Sequence, residues 1–442
     1  MSARIVVVGF GYVGACVGAV LAGKKYQVVG VDTRPEIVDA INAGETTMNE
    51  PGLGDLVRQS VADGHLSATM DMSEVGEADV ILITVGTPMN GAAPDTTQVE
   101  AACKEVAQHL RPGQLVVLKS TVPPFTTENT VRPVLESNGL KAGQDFYLAF
   151  CPERLAEGRA LHELQVLPVV VGGVDPESTD RAARFWEEAL GLPTIRVSNA
   201  RTAEMSKLAD NLWIDLSIAI GNELALLSDR LDIDVLEVIE AANSLPKGRH
   251  HVNILLPSVG VGGSCLTKDP WFVDHMARER GLDLTLPAAG RGINESMPAT
   301  SVALITEELA ASGRSIEDST VVVLGLAFKD NTGDVRLTPA KPVVEMLEQT
   351  GCDLVVYDPL VTPDGIASIT SLRPAENLQS AIAGADCIAF LTGHDDFRRL
   401  TVEDIAGAMK PRGVVFDGRM YFSREQIEGL EAAGLRYRGI GR

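Results

Sequence analysis

The residues best suited to chemistry lie in 257–269, PSVGVGGSCLTKD, where a run of glycine and other small residues leads into Cys265. Small side chains before a sulfur let a ligand approach it, and thiolate attack on a carbonyl needs an accessible cysteine near cations or helix N-terminal donors. Lys268 and the helix expected after it are candidates to supply both, while the plainer reading of a lone cysteine is packing. Upstream, Lys207 and Asn211 stand four apart in AEMSKLADN, so a helix puts them on one face, with Glu204 on the adjacent turn. Such a stripe is either solvated or functional. Leu208, Leu212 and Trp213 beside it predict a mostly buried helix, where an unpaired lysine is costly. CPERLAEG at 151–158 ends an apolar run, which sets Glu153 and Glu157 at the carboxyl edge of a sheet, where open α/β folds bind ligands. A structural ion pair with Arg154 is the alternative.

A second kind of chemistry is written at 9–14. GFGYVG follows the run IVVV directly and opens a helical pattern, and Asp32 closes the next apolar run. That context meets the dinucleotide fingerprint: Gly9 for the tight turn, Gly11 for close approach of a pyrophosphate, Gly14 for helix packing, and a helix N-terminus that donates to the anion. Asp32 can accept from a ribose 2′-hydroxyl and repels a 2′-phosphate, which favours NAD over NADP, although Arg34 lies close by. Near the other end, GLAFKD at 325–330 occupies the equivalent place without the later glycines. Phe328 and Lys329 there suit a different phosphate-bearing ligand, or are a core phenylalanine and a solvated lysine.

The elements that must hold these residues follow from periodicity. Short Val- and Ile-rich runs alternate with helical patterns at 12–24 and 35–43, which predicts βαβ units and a parallel sheet. FYLAFCPE, LPVVVGG and TIRVS extend that region to about residue 199. From residue 201 the strand signal stops; a long helix, a second at 234–243, a loop at 246–265 and more helix to 312 form a connecting segment. Strand rhythm resumes in TVVVLGLAFK, DLVVYDP, GADCIAFLTG and GVVFDG, with a helix at 339–349. IVVVGFG, VVGVD and ADVILITVGTP match VVVLGLA, VVYD and ADCIAFLTG in order, so the chain repeats its plan. The expected fold is α/β: two Rossmann-like doubly wound domains, 1–199 and 313–442, joined by a long-helix domain, 200–312.

Composition excludes several classes. A net charge of −22 over 442 residues repels nucleic acid and anionic membranes. The six cysteines show no CxxC pair or metal-ligand spacing, so neither a disulfide framework nor a metal site is expected. The opening MSARIVVVGFG enters a strand at once, without the pattern of an export signal, and the apolar stretch 212–227 is broken by Asp215, Asn222 and Glu223. A cytoplasmic protein with no membrane anchor is expected.

Taken in order, GFGYVG, TVGTP, KSTVP, CPERLAEG, AEMSKLADN with a following NE, GVGGSCLTKD and GLAFKDNTGDVRLTP resemble the nucleotide-sugar 6-dehydrogenase family over nearly the whole chain. The resemblance implies an NAD-dependent, four-electron oxidation of a UDP-sugar CH2OH to a uronic acid through a cysteine thiohemiacetal and thioester. It makes Cys265 the nucleophile, has Lys207 and Asn211 polarise the reacting oxygen, and has Asp269 orient a water acting as base. Thr121 and Glu153 complete the site, Glu153 assisting hydrolysis. NAD is implied to contact Tyr12, Val13, Asp32, Thr87, Thr121, Glu157, Lys268 and Arg336, beside Gly9, Gly11, Gly14 and Arg34. The UDP-sugar is implied to meet Glu153, Arg154, Leu155, Ile254, Ser258, Gly262 and Lys329. Arg249 matches an arginine that the family contributes from a neighbouring subunit, which implies a homodimer or higher homo-oligomer built on the helical domain.

Three departures bear on specificity. Ile37 stands where the family often has a lysine after the ribose-binding acid, so Arg34 is the candidate substitute. PERLAEG, HHVNILLPSVGVGG and DPWF lean toward UDP-N-acetylhexosamine enzymes (mannosamine or glucosamine), whereas SCLTKD resembles the UDP-glucose type. A two-electron hydroxyacid dehydrogenase would need the same first domain and a helical-domain lysine but no cysteine. A non-catalytic nucleotide-binding module would need neither.

Overall fold

The computed structural model describes residues 3–90, 93–248 and 250–442. They form two compact units, Met1–Asp210 and Asn211–Arg442. Strand β1 (Arg4–Val8) is apolar from Ile5 onward because both faces are covered there: Ile5 and Val7 enter one core, Val6 and Val8 another. Two-sided burial is what a parallel sheet demands. With it lie β2 (Gln27–Val31), β3 (Leu66–Thr69), β4 (Val80–Ile83), β5 (Leu115–Leu118), β6 (Tyr147–Phe150), β7 (Val169–Gly173) and β8 (Thr194–Arg196). Their order is β8-β7-β6-β5-β4-β1-β2-β3. The strands from β3 to β6 are parallel in the 3-2-1-4-5-6 order of a doubly wound dinucleotide fold, with the switch point between β1 and β4.

The expected parallel rhythm stops at β6. β7 runs antiparallel to it, and β8 is parallel to β7. The connection from β6 to β7 carries the CPERLAEG loop and only a seven-residue helix, Ala160–Val166, rather than a full crossover helix.

Helix α1 (Tyr12–Gly23) follows β1. Helix α2 (Ala200–Leu231) is 32 residues long and continues straight through Gly221. A side chain at Gly221 would meet the Leu255 carbonyl at 2.2 Å, so the glycine lets the following loop lie against the helix. The expectation that Trp213 is covered does not hold within the chain: it is 54% exposed, and with Ile220 and Leu227 it forms an apolar stripe at seven-residue spacing. The buried side of α2 carries Asp215, Ala219 and Asn222 instead.

After α2 come α3 (Val235–Asn243), capped by the Asp234 side chain, α4 (Asp269–Glu279) and α5 (Leu286–Ser312). The second sheet contains β9 (Thr320–Leu324), β10 (Asp353–Tyr357), β11 (Cys387–Phe390), β12 (Val414–Asp417) and β13 (Arg436–Gly439), all parallel in the order β10-β9-β11-β12-β13. This is the 2-1-3-4-5 doubly wound order, with its switch point between β9 and β11. Ala225, Ile239, Met297 and Ile305 share one core with Val321 and Val323, so the helices after residue 211 pack as part of the second unit. β13 was not expected from the sequence. It is an edge strand, and Arg436 and Arg438 stay polar there by pairing with Glu308 and Asp229. Among the described residues no helix is long and apolar enough to cross a membrane, and no cluster of His, Cys, Asp or Glu could hold a metal ion.

Candidate active site

At the end of β1 the chain turns through Gly9, whose φ of +86° favours glycine. A Cβ at Gly14 would stand 2.2 Å from the Gly9 carbonyl, so that glycine is required by helix packing. Gly11 caps α1 without a side chain, and a Cβ there would meet only the Arg34 guanidinium, at 3.6 Å. The side of the turn where a pyrophosphate would lie is therefore lined by backbone N–H groups and one cation, which suits a dinucleotide. Asp32 accepts from the Phe10 N–H at 2.8 Å and, through its other oxygen, from the Arg34 N–H and Nε at 3.0 and 3.1 Å. That hydrogen bond, ahead of the opposing burial, raises the Arg34 guanidinium above its ordinary value.

The neighbouring carboxyl-edge loops of this unit gather further expected residues. Thr87 Oγ1 donates to the Thr121 carbonyl at 2.7 Å, tying the loops after β4 and β5 together. In CPERLAEG, Glu153 Oε1 accepts from the Arg154 and Leu155 N–H groups at 2.7 and 3.0 Å. Its other oxygen faces the ammonium of Lys119, from KSTVP, at 3.3 Å, with the lysine almost fully buried. Arg154 does not pair with Glu153 through its side chain; its guanidinium donates to the Pro168 carbonyl. Burial first, then the hydrogen bond to Glu50 and the surrounding acidic groups, drive the Tyr12 phenol far above its ordinary value. On α2, Lys207 is buried at 8% exposure, and one turn earlier Glu204 is fully buried.

The second unit holds the cysteine loop. Cys265 is exposed. Its carbonyl accepts from the Lys268 and Asp269 N–H groups, which turns the chain into α4. Asp269 is fully buried, and its two oxygens are divided between Asn211 Nδ2 at 2.5 Å and Lys268 Nζ at 2.6 Å. Three of the expected residues therefore form one hydrogen-bonded group immediately after the cysteine. The glycines before it serve a purpose the sequence did not reveal. Side chains at Gly262 and Gly263 would strike Phe328, at 2.6 and 2.7 Å, and the Gly263 N–H donates to the Arg336 carbonyl at 3.0 Å. The glycine run thus seats the cysteine loop on the 325–338 segment, and Phe328 is the packing partner that makes it necessary. Asn243 brackets Ile254 by accepting from its N–H and donating to its carbonyl, while Asn222 accepts from the Ser258 N–H at 2.9 Å. Lys329 is half-buried, and the exposed Arg336 pairs with Asp334. Arg249 lies outside the described residues.

Three buried residues beside these groups were missed by sequence reasoning. Lys119 was hidden because KSTVP was read only as a motif string. Glu50 stands in a loop whose neighbours carry no periodic signal; it accepts from Tyr12 Oη at 2.5 Å, Gly158 N–H at 2.6 Å and Ala160 N–H at 2.8 Å. His394 is fully buried in the second unit; its Nε2 is 3.1 Å from Asp358, and its Nδ1 accepts from the Asn331 N–H at 2.9 Å. The equivalence of VVYD with VVGVD was the available signal for Asp358, but nothing local pointed to its partner.

Comparison with known proteins covers all three regions of the chain. The model of the UDP-glucose/GDP-mannose dehydrogenase family matches as its NAD binding domain over residues 3–190, its central domain over 201–296 and its UDP binding domain over 322–424. The chain is 34% identical to the UDP-N-acetyl-D-mannosamine dehydrogenase of Pyrococcus horikoshii over 439 residues, 99% of each chain. A structure of that protein superposes with a TM-score of 0.87. The NDP-N-acetyl-D-galactosaminuronic acid dehydrogenase of Ralstonia nicotianae is 35% identical over 96% of this chain and 97% of its own. A UDP-glucose dehydrogenase structure from Pyrobaculum islandicum matches at 30% identity with a TM-score of 0.86, over 100% of this chain and 98% of the other.

Proposed function

The chain belongs to the UDP-glucose/GDP-mannose dehydrogenase family, and from that premise we propose that it oxidises the C6 CH2OH of a UDP-N-acetylhexosamine, foremost N-acetylmannosamine, to the uronic acid on Cys265. It is an NAD-dependent oxidoreductase acting on a UDP-sugar. The observation that carries the covalent route is the exposed Cys265 followed by Asp269, whose carboxylate is shared between Asn211 and Lys268. The N-acetylhexosamine assignment is supported by PERLAEG and DPWF together with the full-length mannosamine relative. UDP-glucose is the second reading, which SCLTKD favours.

NAD, held by the Gly9–Gly14 turn, Asp32, Thr87 and Thr121, supplies a hydride acceptor in each of two oxidations. The rest falls to the chain. Lys207 and Asn211 hold the reacting oxygen as the alcohol loses its proton and becomes an aldehyde. The Cys265 sulfur adds to that carbonyl carbon, forming the C–S bond of a thiohemiacetal. The second oxidation leaves a thioester, and a water oriented by Asp269, with help from Glu153, adds to it and expels the thiolate. One water and two NAD are consumed per sugar, and the thiol is returned unchanged. Arg154, Leu155, Ile254, Ser258, Gly262 and Lys329 hold the UDP-sugar, while Tyr12, Val13, Arg34, Glu157, Lys268 and Arg336 serve the cofactor.

The exposed Trp213, Ile220 and Leu227 stripe supports a homodimer across α2. Light scattering at twice the 47.0 kDa chain mass checks it. The free cysteines support a reducing, cytoplasmic setting.

The test is NADH formation with UDP-N-acetylmannosamine, UDP-N-acetylglucosamine, UDP-glucose and a GDP-sugar side by side. Two NADH per sugar are expected, with N-acetylmannosamine preferred, and Cys265→Ala should produce no uronic acid. Uronic acid from that variant at the parental rate would remove the covalent step. One NADH and a ketone product would instead favour a hydroxyacid dehydrogenase.

A further inference from the structure

We propose that Glu50 is a positioning residue that ties the dinucleotide turn to the CPERLAEG loop, so that cofactor and sugar are met by one connected surface. The proposal rests on the functional reading above, which gives Tyr12 and Glu157 to the cofactor and residues 153–155 to the sugar.

Three donors from two remote stretches converge on this carboxylate. Tyr12 Oη and the Gly158 N–H share Oε2 at 2.5 and 2.6 Å, and the Ala160 N–H takes Oε1 at 2.8 Å. Their partners lie 38, 108 and 110 residues away in sequence. Glu50 is 6% exposed, so these bonds form largely out of water, where an acceptor with no donor left opposite it is costly. All three partners donate, and an ionised carboxylate only accepts. Glutamine would turn an NH2 group toward at least one of them.

The loop that Glu50 grips has no regular structure from residue 151 to 156, and it bends at Gly158 with φ +81°. It is held as well where the Ala156 N–H donates to Glu163 at 2.6 Å, where Glu153 faces Lys119 and where Arg154 donates to the Pro168 carbonyl. Glu157 therefore lies between the Ala156 bond to Glu163 and the grip at Gly158 and Ala160, and the bond from Tyr12 ties that grip to the start of α1. A carboxylate serving the fold alone would need no hydroxyl from the cofactor turn. This one shares Oε2 between that hydroxyl and the Gly158 N–H.

The experiment compares Glu50→Gln and Tyr12→Phe with the parent. KM for NAD and KM for UDP-N-acetylmannosamine are measured separately, alongside kcat, melting temperature and NAD affinity by calorimetry. Glu50→Gln is expected to raise both KM values about tenfold, because it disturbs both ends of the link. Tyr12→Phe keeps the loop bonds and is expected to raise only the NAD terms, about threefold. The double variant should be no worse for NAD than Glu50→Gln alone, since both remove the same link. If both variants keep the parental KM values, or lose only melting temperature and active fraction, Glu50 is structural and the proposal falls. Where Glu50→Gln does not fold, an unchanged NAD affinity in Tyr12→Phe overturns the proposal and a selective NAD loss sustains it. A parent that binds NAD yet oxidises no UDP-sugar refutes the functional reading, and the NAD titrations still decide the link between Glu50 and Tyr12.

Discussion

The two sheets turn in the same way at the end of their first strands and then part company. After β1 the chain bends at Gly9, and after β9 at Gly325, with φ of +86° and +90°. Gly9 N–H donates to the Val31 carbonyl at 2.8 Å, and Gly325 N–H to the Tyr357 carbonyl at 2.9 Å. The next N–H in each case meets the aspartate that closes the second strand: Phe10 to Asp32 at 2.8 Å, Leu326 to Asp358 at 2.7 Å. Beyond that point the aspartates face different futures. The second oxygen of Asp32 meets only Arg34, whose side chain is 52% exposed. Asp358 is closed from every side, by the N–H groups of Ala327, Leu360 and Val361 and by the buried His394 ring. One turn leaves its aspartate beside a single exposed side chain, and the other builds the same aspartate into a buried network. The repeated turn is therefore finished differently in the two sheets, and the difference lies in what surrounds one carboxylate.

The third glycine gives the sharpest break. Gly14 has no counterpart after Gly325, where Ala327 and Phe328 follow, so the second turn tolerates side chains that the first cannot. Gly14→Val would drive a branched side chain into the Gly9 carbonyl, 2.2 Å from the first added carbon. Overpacking of this kind costs about 1–3 kcal/mol or more and here moves the pyrophosphate-facing backbone itself. A rise in KM for NAD of at least about 100-fold is expected. A valine variant with parental KM would show that the turn does not hold the cofactor.

The aspartates come next, as a matched pair. Asp32→Ala removes an acceptor beside an exposed arginine, so it is expected to raise KM for NAD roughly tenfold or more with a small change in melting temperature. Asp358→Ala strands four N–H groups and a buried histidine, a loss of about 3–5 kcal/mol. Roughly 10 °C of melting temperature should go with it while KM for NAD stays near parental. Equal effects of the two substitutions on either quantity would erase the distinction between ligand site and buried network.

How far the sequence spoke for itself follows the same division. The strand runs, the glycine turn and Asp32 were legible because each depends on residues within about thirty positions. The doubled fold was legible because VVGVD and VVYD repeat the same local pattern. The group around Asp269 was legible only through resemblance, since Asn211 and Asp269 are 58 residues apart and no periodicity links them. Glu50, Lys119 and His394 escaped because each is a lone polar residue whose partners arrive from elsewhere in its unit. The antiparallel β7 escaped for a related reason: strand direction is set by the connection, and an apolar run reads the same both ways. Trp213 was misjudged because an apolar stripe awaiting a partner and one facing a core look alike in sequence.

Proton linkage separates the units once more, with the smallest effect and opposite signs. Burial pushes Asp358 up, but the hydrogen bonds from His394 and the backbone N–H groups more than reverse this, and the carboxyl ends below its ordinary value. Its contribution is present above the unfolded value near 4 and is lost as pH falls through the lower folded one. In the first unit, Glu204 accepts from the Phe125 N–H, the Thr127 N–H and Thr127 Oγ1 at 2.7, 2.8 and 2.6 Å. Burial outweighs those bonds, Glu128 adds its charge, and the carboxyl is pushed up to about 7. A folded value above the unfolded one means that stability is complete below the ordinary carboxylate range and is lost as pH rises through about 7. The loss is on the order of 3 kcal/mol at most. Arg201, paired with Glu128 and lying over the Phe125 ring, is the nearby cation that limits it. Melting temperature measured from pH 5 to pH 8.5 should therefore fall in the parent by a few degrees more than in Glu204→Gln, which has no charge to bury. Parallel curves would mean that Glu204 folds as comfortably ionised as neutral, and that the three donors around it outweigh its burial after all.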